Sequence, residues 1–333
     1  KPNVFQAGYA SSAVVESIFD FWQYFEPVRE GMPQNCSNDV QAAVAAFDGT
    51  LKNATAFRAL QDRFGMAAVT HQDDVTGALR NNLWDWQSLS PSSGPGAQFF
   101  NFCDALEVDE DGTVAPEGGF GAEHALNAWS AYWTNTYLSL SKSSTHTART
   151  CLGTHNASQQ EWTNTTINNA NRSWFWIVCN EVGFLQDTAP EDHVSLVSRI
   201  VVPAADERQC QQMFPEAFPK PPVANVAATN AAYGGWNMSV DRLFFANGQR
   251  DPWRDATVSA EGLNSPGTPA ANIGFSNGFH CSDLSTANAR VDSTVLDVQK
   301  AGLELIKGWV AEWTPAHEAR ARTRVGVVVG KDA

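Results

Sequence analysis

Asp251 and His280, which stand 29 residues apart, are the residues whose types and setting could support acid–base chemistry. Asp251 lies in RLFFANGQRDPW, residues 242–253, where a short apolar run ends in an Asn-Gly turn. Such a run predicts a buried strand. A carboxylate just beyond the end of a strand lies where open α/β sheets build their sites. The alternative that this stretch leaves open is an Asp that only satisfies the amides of a turn.

His280 lies in FSNGFHCSDL, residues 275–284, directly after a second Asn-Gly turn. An Asp and then a His, each on a loop after a late strand, is the order of two triad members in α/β-hydrolases. There the Asp holds the imidazole in the tautomer that can take a proton from a serine. The serine of that fold stands in G-x-S-x-G and precedes the Asp in the chain, whereas the one such pentapeptide here, GFSNG at 274–278, follows Asp251. The sequence therefore predicts two members of a triad and lacks the nucleophile.

The elements that must position these residues are strands near both ends of the chain, with helices between them. Residues 3–10 (NVFQAGYA) and 242–246 predict strands. Apolar residues recur at helical spacing over 38–49, 54–65, 123–141 and 292–313. We therefore expect an α/β fold with a core strand in 1–12, a helical insertion in 13–235 and the C-terminal part of the core in 236–333.

The composition indicates an acidic globular protein. Of 333 residues, 43% are hydrophobic and 17% are charged, so a sizeable core is expected and wholesale disorder is not. The net charge of −14 argues against nucleic acid or an anionic membrane surface as a partner. It suits a protein that stays soluble in acid, where Asp and Glu begin to lose their charge.

Cysteines and glycosylation sequons indicate passage through a secretory pathway. The six cysteines, which form no C-x-x-C pair and so predict disulfides, are Cys36, Cys103, Cys151, Cys179, Cys210 and Cys281. The six N-x-S/T sequons begin at Asn35, Asn53, Asn156, Asn164, Asn171 and Asn237. We expect the protein to be secreted or to reside in an acidic compartment of the lysosomal or vacuolar kind.

Longer blocks of sequence resemble a known family. NGQRDPW and GFHCSDL are similar to the Asp and His motifs of the S28 serine peptidases. That family holds lysosomal prolyl carboxypeptidase, dipeptidyl peptidase II and fungal acid prolyl endopeptidases, and the likeness is greatest to the fungal branch. Further similar blocks stand at 9–37, 174–186 and 229–237. The resemblance implies an α/β-hydrolase core with a large helical cap, cleavage on the carboxyl side of proline at acid pH, and no metal or cofactor.

The resemblance also implies where the missing serine lies. The block YASSAVV, which begins at Tyr9, is similar to the strand that follows the nucleophile elbow in that family. We therefore expect the serine on an N-terminal segment of the same enzyme, outside this chain and bound to it through the sheet. Proline-containing peptides or proteins are the expected substrates.

Further roles follow only from the resemblance. Trp253 is expected to wall the pocket for the proline ring, and Glu181 to lie near the substrate cleft. A core aromatic and a structural ion pair are the alternatives for these two residues. The family favours a disulfide between Cys36 and Cys179, and the remaining cysteines then leave Cys103–Cys151 and Cys210–Cys281.

Two other functions remain open at this point. A glycan- or protein-binding module without catalytic activity would suit the 12 Trp residues and the lack of a nucleophile. A lipase or esterase would share the Asp and the His, but not the DPW tripeptide or the blocks of the helical insertion. The choice between endopeptidase and exopeptidase also stays open, because it depends on how the ends of the cleft are closed.

Overall fold

The computed structural model describes residues 4–138, 147–263 and 271–313. The strands are β1 (Gly8–Ser11), β2 (Ile18–Asp20), β3 (Gly183–Leu185), β4 (Leu243–Gly248) and β5 (Ala271–Ser276). The helices are α1 (Glu26–Gly31), α2 (Gln34–Thr50), α3 (Ala54–Arg63), α4 (Gln72–Ala78), α5 (Arg80–Trp84), α6 (Gln98–Glu107), α7 (Ala122–Tyr132), α8 (Ala148–Leu152), α9 (Gln160–Thr163), α10 (Ala170–Ile177), α11 (Pro203–Met213), α12 (Val226–Tyr233), α13 (Thr286–Val291) and α14 (Ser293–Ala311).

The chain divides into two compact units. The sheet unit comprises the described residues within 1–16, 90–92 and 233–333, and the helical unit those within 17–89 and 93–232. The sequence placed the two divisions after residues 12 and 235, whereas the units divide after 16 and 232. The sequence did not predict the short return at 90–92, where the Ser92 hydroxyl donates to Asn288 Oδ1 at 2.7 Å within the sheet unit.

The sheet unit is built on three parallel strands in the order β1-β4-β5. β4 is central because its run of Leu, Phe, Phe and Ala is apolar on both faces, and residues 244–248 are all buried. Its register aligns Phe245 with Ala10 on one side and with Ile273 on the other. The carboxyl ends of β4 and β5 therefore lie side by side, which is where Asp251 and His280 follow.

Helix α14 covers one face of this sheet. Val298 packs with Phe244 and Ala246 of β4, and Leu305 and Trp309 add to the same cluster. The helix begins where the Asp292 side chain accepts a hydrogen bond from the Thr294 amide. The predicted amphipathic helix over 292–313 is confirmed with slightly tighter bounds.

The helical unit has an aromatic core. Phe47 of α2 contacts Phe64 edge to face, and Phe64 contacts Trp129 of α7 in the same manner. Trp129 is fully buried, and its indole N–H donates to Asn82 Oδ1 at 2.9 Å, so its polar atom is satisfied. The unit also contains a short parallel pair, β2 with β3, which the sequence did not predict.

The disulfides differ from those expected. Cys36 on α2 pairs with Cys103 on α6, and Cys179 pairs with Cys210 on α11. Their Cα atoms lie 5.3 and 5.7 Å apart, within the range that a disulfide requires. Cys281 carries a free thiol. The expected pairs Cys36–Cys179, Cys103–Cys151 and Cys210–Cys281 were therefore wrong, because α2 packs against α6 and this contact cannot be read from cysteine spacing.

The described residues combine helices with parallel sheet, as expected of an α/β protein. α2 and α3 correspond to the helices predicted at 38–49 and 54–65. The helix predicted over 123–141 appears as α7 followed by a π-helical turn at Trp133–Tyr137, and residues 139–141 lie outside the described part. No helix in the described ranges combines the length and the apolar character needed to cross a membrane.

Candidate active site

The loops after β4 and β5 are tied together by backbone hydrogen bonds. The Gln249 amide donates to the Ser276 carbonyl at 2.8 Å, and the Arg250 amide to the Gly278 carbonyl at 3.0 Å. The approach is so close that a Cβ at position 248 would stand 2.3 Å from the Gly278 carbonyl oxygen. Glycine at the end of β4 is therefore what lets the two loops meet.

Asp251 and His280 are hydrogen-bonded to each other. The distances from His280 Nδ1 to the two carboxylate oxygens of Asp251 are 3.1 and 3.2 Å. Asp251 is fully buried, and its Oδ1 also accepts the backbone amide of Trp253 at 2.9 Å. The carboxylate thus holds the imidazole with Nδ1 as the proton donor, which leaves Nε2 as the basic nitrogen. The His280 side chain is 28% exposed, so the ring is open on one side.

The first strand holds the loop that carries His280. Cys281 has a left-handed backbone (φ +54°), and its amide donates to the Ser12 hydroxyl oxygen at 2.8 Å. The Ser12 amide in turn donates to the Ala246 carbonyl at 2.8 Å. The Ser11 hydroxyl donates to Asp283 Oδ1, also at 2.8 Å. These serines position the histidine loop, and among the described residues no serine hydroxyl makes a hydrogen bond to His280.

The electrostatics of the site favour a charged imidazole. Burial lowers the pKa of His280, but hydrogen bonds and charge from Asp251 and Cys281 outweigh it and raise the pKa to about 10. The hydrogen bond from His280 lowers the pKa of the Cys281 thiol. Burial raises the pKa of Asp283, and the Ser11 hydrogen bond opposes that shift. The surroundings therefore stabilise the imidazolium that forms when a histidine accepts a proton during catalysis.

Sequence reasoning missed the supporting residues of this site. Cys281 was assigned to a disulfide, yet its free thiol lies beside His280 and influences the pKa of the imidazole. Ser11 and Ser12 lack the glycines of a nucleophile elbow, and the sequence predicted no supporting role for them. The polar residues of YASS and HCSD are plain in the sequence. Their contact becomes visible only when β1 is placed next to β4.

The remaining predicted residues lie in different settings. Trp253 is 9% exposed, within the sheet unit, directly after the catalytic loop. Glu181 belongs to the helical unit, where it is exposed in a π-helical turn and accepts a hydrogen bond from Asn180 at 3.4 Å. Their roles in substrate binding stay predictions. The sequon asparagines Asn53, Asn156, Asn164, Asn171 and Asn237 are exposed, while Asn35 is half-buried.

The chemistry available to this arrangement is proton transfer at His280 Nε2. A buried carboxylate that orients a partly open imidazole is the acid–base half of a nucleophilic site, which needs a hydroxyl or a thiol supplied at that nitrogen. Cys281 follows His280 directly in the chain, and its Sγ lies 4.0 Å from the Ser11 carbonyl oxygen.

Comparison with known proteins identifies relatives along most of the chain. The family model described as Serine carboxypeptidase S28 matches residues 1–303. The chain is 30% identical to the serine protease vicPa of Bipolaris victoriae, over 97% of the chain and 63% of that protein. It is 30% identical to a probable extracellular serine carboxypeptidase of Arthroderma benhamiae, over 80% of the chain and 39% of that protein. It is 26% identical to the mouse thymus-specific serine protease, over 85% of the chain and 55% of that protein. The chain thus spans less than two thirds of the length of these relatives.

Proposed function

Because the chain belongs to the serine carboxypeptidase S28 family, we propose that it is the cap and C-terminal catalytic part of a secreted serine peptidase. The enzyme cleaves on the carboxyl side of proline at acid pH, as an endopeptidase. Its fold is an α/β-hydrolase core in which the helical unit is the cap insertion. Asp251 orients His280, and His280 takes the proton of a serine carried by an N-terminal segment of the same enzyme. For work at acid pH that segment must bury the open side of the imidazole and so lower its raised pKa, because the ring must be neutral to accept a proton.

The observation that carries this proposal is the hydrogen-bonded pair of Asp251 and His280. The two residues follow neighbouring parallel strands, β4 and β5, and thus come from the loops that supply the Asp and the His of an α/β-hydrolase triad. Two further facts support a serine on another segment. The one G-x-S-x-G of the sequence, at 274–278, follows Asp251 instead of preceding it, and the hydroxyl of its buried Ser276 donates to the Asn247 carbonyl. The relatives are also longer than this chain.

Proline specificity is supported by the DPW tripeptide and by the chemistry of the substrate. The amide nitrogen of proline carries no hydrogen, so recognition of the ring rests on shape and on apolar contact. An indole face suits a pyrrolidine ring, and Trp253 follows the catalytic Asp251 by two residues. Trp253 is therefore the residue that we propose for the proline pocket.

Acid pH and secretion are supported by charge, disulfides and relatives. Burial raises the pKa of Asp85 to about 6, so this carboxyl is protonated in acid and folding favours that form. The protein holds two disulfides and five exposed sequons, and one relative is described as probably extracellular. These features are typical of a protein that folds in a secretory pathway.

Cleavage mapping of the full-length enzyme tests the specificity. We expect peptides with an internal proline to be cut after that residue at pH 4–5, and matched peptides with alanine in its place to be cut at least about tenfold more slowly. Trp253→Ala should reduce this preference, whereas Trp174→Ala, at an exposed tryptophan of the helical unit, should not. Equal cleavage after proline and after alanine would mean that the enzyme is a peptidase without a proline pocket. Release of C-terminal residues only would make the enzyme an exopeptidase.

Expression of residues 1–333 with and without the N-terminal segment tests where the serine lies. We expect the chain alone not to react with a fluorophosphonate, because that reagent labels an activated serine. With the segment present, labelling should occur on the segment and should require His280. Labelling of a serine within residues 1–333 would contradict the proposal.

A further inference from the structure

The helical unit contains a cluster of histidines and carboxylates that the peptidase chemistry does not use. His71, Asp74 and His155 each offer one ligand atom, and the three atoms lie within 4.8 Å of one another. All three residues line a cavity of about 240 Å³. Two segments bring them together, the start of α4 and the loop that follows α8.

Asp74 points a buried oxygen at this cavity without a partner. Its side chain is only 2% exposed. Oδ1 accepts hydrogen bonds from the Thr154 amide at 3.0 Å and from the Thr154 hydroxyl at 2.6 Å, whereas Oδ2 has no hydrogen-bond partner among the described residues. The nearest ionisable group among the described residues is His71, whose Nδ1 lies 3.9 Å from Oδ2, beyond hydrogen-bond range, and 3.0 Å from the Thr70 hydroxyl. A buried carboxylate oxygen in this state is unfavourable, and a bound cation would satisfy it.

His155 is oriented as metal-bound histidines are. Its Nε2 lies 3.0 Å from both carboxylate oxygens of Asp73. Asp73 is held in place by Arg208, whose Nη2 lies 2.9 Å away. A carboxylate behind an imidazole fixes the tautomer and the direction of the ring in metal sites. With the proton on Nε2, the lone pair of His155 is on Nδ1, which makes no hydrogen bond to another described residue and is the atom we assign as the ligand.

The two imidazoles lie face to face. Their ring centroids are 3.5 Å apart, and the ring planes differ by 8°. The nitrogen lone pairs of rings stacked in this way lie in parallel planes, so one ring must turn before both can bind the same ion. In a tetrahedral zinc site, neighbouring ligand atoms are about 3.3 Å apart, given bonds of about 2.0–2.1 Å. The side chain of His71, which is 45% exposed, is the one that would turn out of the stack and close this distance.

We propose that His71, Asp74 and His155 bind a Zn²⁺ ion, with water in the fourth position. Two nitrogens and one carboxylate oxygen suit zinc, whereas calcium and magnesium require more oxygen ligands. The ion would link the start of α4 to the loop after α8 and stabilise that connection. The family resemblance implied no metal. The ligands proposed here come from THQDD and GTHN, which match no zinc pattern and place His71 and His155 84 residues apart.

Metal titration of the full-length enzyme tests the site. After removal of metals with a chelator, Zn²⁺ affinity is measured by competition with a chromophoric chelator, and Co²⁺ is added to record the absorption of a four-coordinate ion. We expect one equivalent of tight binding. His71→Ala and His155→Ala should each weaken it at least about tenfold. His193→Ala is the matched control, because His193 is also a half-exposed histidine hydrogen-bonded to an aspartate, Asp192, in the same unit.

Thermal unfolding gives a second readout that does not depend on peptidase activity. Zn²⁺ should raise the Tm of the wild-type enzyme and of His193→Ala, and should leave the Tm of His71→Ala unchanged. The 45% exposure of His71 makes this variant suitable, since its replacement leaves the core intact. Absence of tight binding in the wild type, or wild-type affinity in both His71→Ala and His155→Ala, would overturn the proposal.

Discussion

At the scale of single residues, the site depends on how the surroundings of His280 set its proton affinity. Asp251 is buried and fixed by the Trp253 amide, so it can orient the imidazole without moving. Cys281 adds a second influence, because its thiol and the imidazole shift each other's pKa in opposite directions. This interaction would be lost if Cys281 were in the disulfide that the sequence suggested.

We predict that Cys281→Ala shifts the pH dependence of the full-length enzyme. The thiol contributes to the raised pKa of His280, so its removal lowers that pKa and keeps the imidazole neutral in more acidic solution. The acid limb of the kcat/KM profile should therefore move to lower pH. Cys151→Ala, which removes a cysteine of the helical unit, should leave the profile unchanged. An unmoved acid limb in Cys281→Ala would show that the thiol does not influence the base.

At the scale of elements, the pair is held by the contact between α14 and the sheet. Gly302 of α14 lies directly on the aromatic rings of the strands: a Cβ there would stand 2.5 Å from Tyr9 Cε2 and 2.8 Å from Phe244 Cδ1. The helix can therefore approach β1 and β4 closely. Gly308 of the same helix has no atom within 4 Å of such a Cβ.

The two glycines should respond in opposite ways to the same substitution. Gly302→Ala should lower the free energy of unfolding by roughly 1–3 kcal/mol, because the methyl group forces the helix away from the sheet. Gly308→Ala should raise it by roughly 0.5–1 kcal/mol, because alanine favours the helix and meets no atom. Urea unfolding of the full-length variants measures both effects. Equal changes in the free energy of unfolding would mean that helix propensity, and not packing against the sheet, determines the effect of Gly302→Ala.

The elements also show how much of the fold and of the site can be predicted from the sequence. β4, α14 and the Asp251–His280 pair were predictable, since each is encoded by a local pattern or a contiguous motif. The disulfides and the β2–β3 pair were not, since a three-residue strand carries almost no periodicity and pairing depends on which helices pack together. The left-handed backbone at Cys281 depends likewise on a contact with the distant Ser12.

At the scale of the whole molecule, buried carboxyl groups link stability to acid. Asp187 is only 1% exposed, and neither of its carboxylate oxygens has a hydrogen-bond partner among the described residues. Burial and then the charge of Asp206 raise its pKa, against the attraction of Arg80. Because the folded pKa lies above the unfolded value of 3.8, folding favours the protonated form. Its contribution to stability is complete below about pH 4 and is lost as the pH rises through the folded pKa.

We predict that Asp187→Asn flattens the dependence of stability on pH. The wild type should lose stability between pH 4 and neutral pH, and the variant should lose less, with a gain of roughly 1–3 kcal/mol over the wild type at pH 7. Asp192→Asn, which alters an exposed carboxylate, should follow the wild type. Denaturant unfolding at a series of pH values measures this. If Asp187→Asn were less stable than the wild type at pH 7, the negative charge of Asp187 would be required as the partner of Arg80.

The central claim is that His280, oriented by Asp251, is the general base of a serine peptidase. The most direct measurement is kcat/KM of the full-length enzyme on a peptide with an internal proline, comparing the wild type with His280→Ala and with His193→Ala as the control. We predict a loss of at least about 10³-fold for His280→Ala with an unchanged Tm, and no loss for His193→Ala. Activity of His280→Ala within about tenfold of the wild type would contradict the assignment of the base.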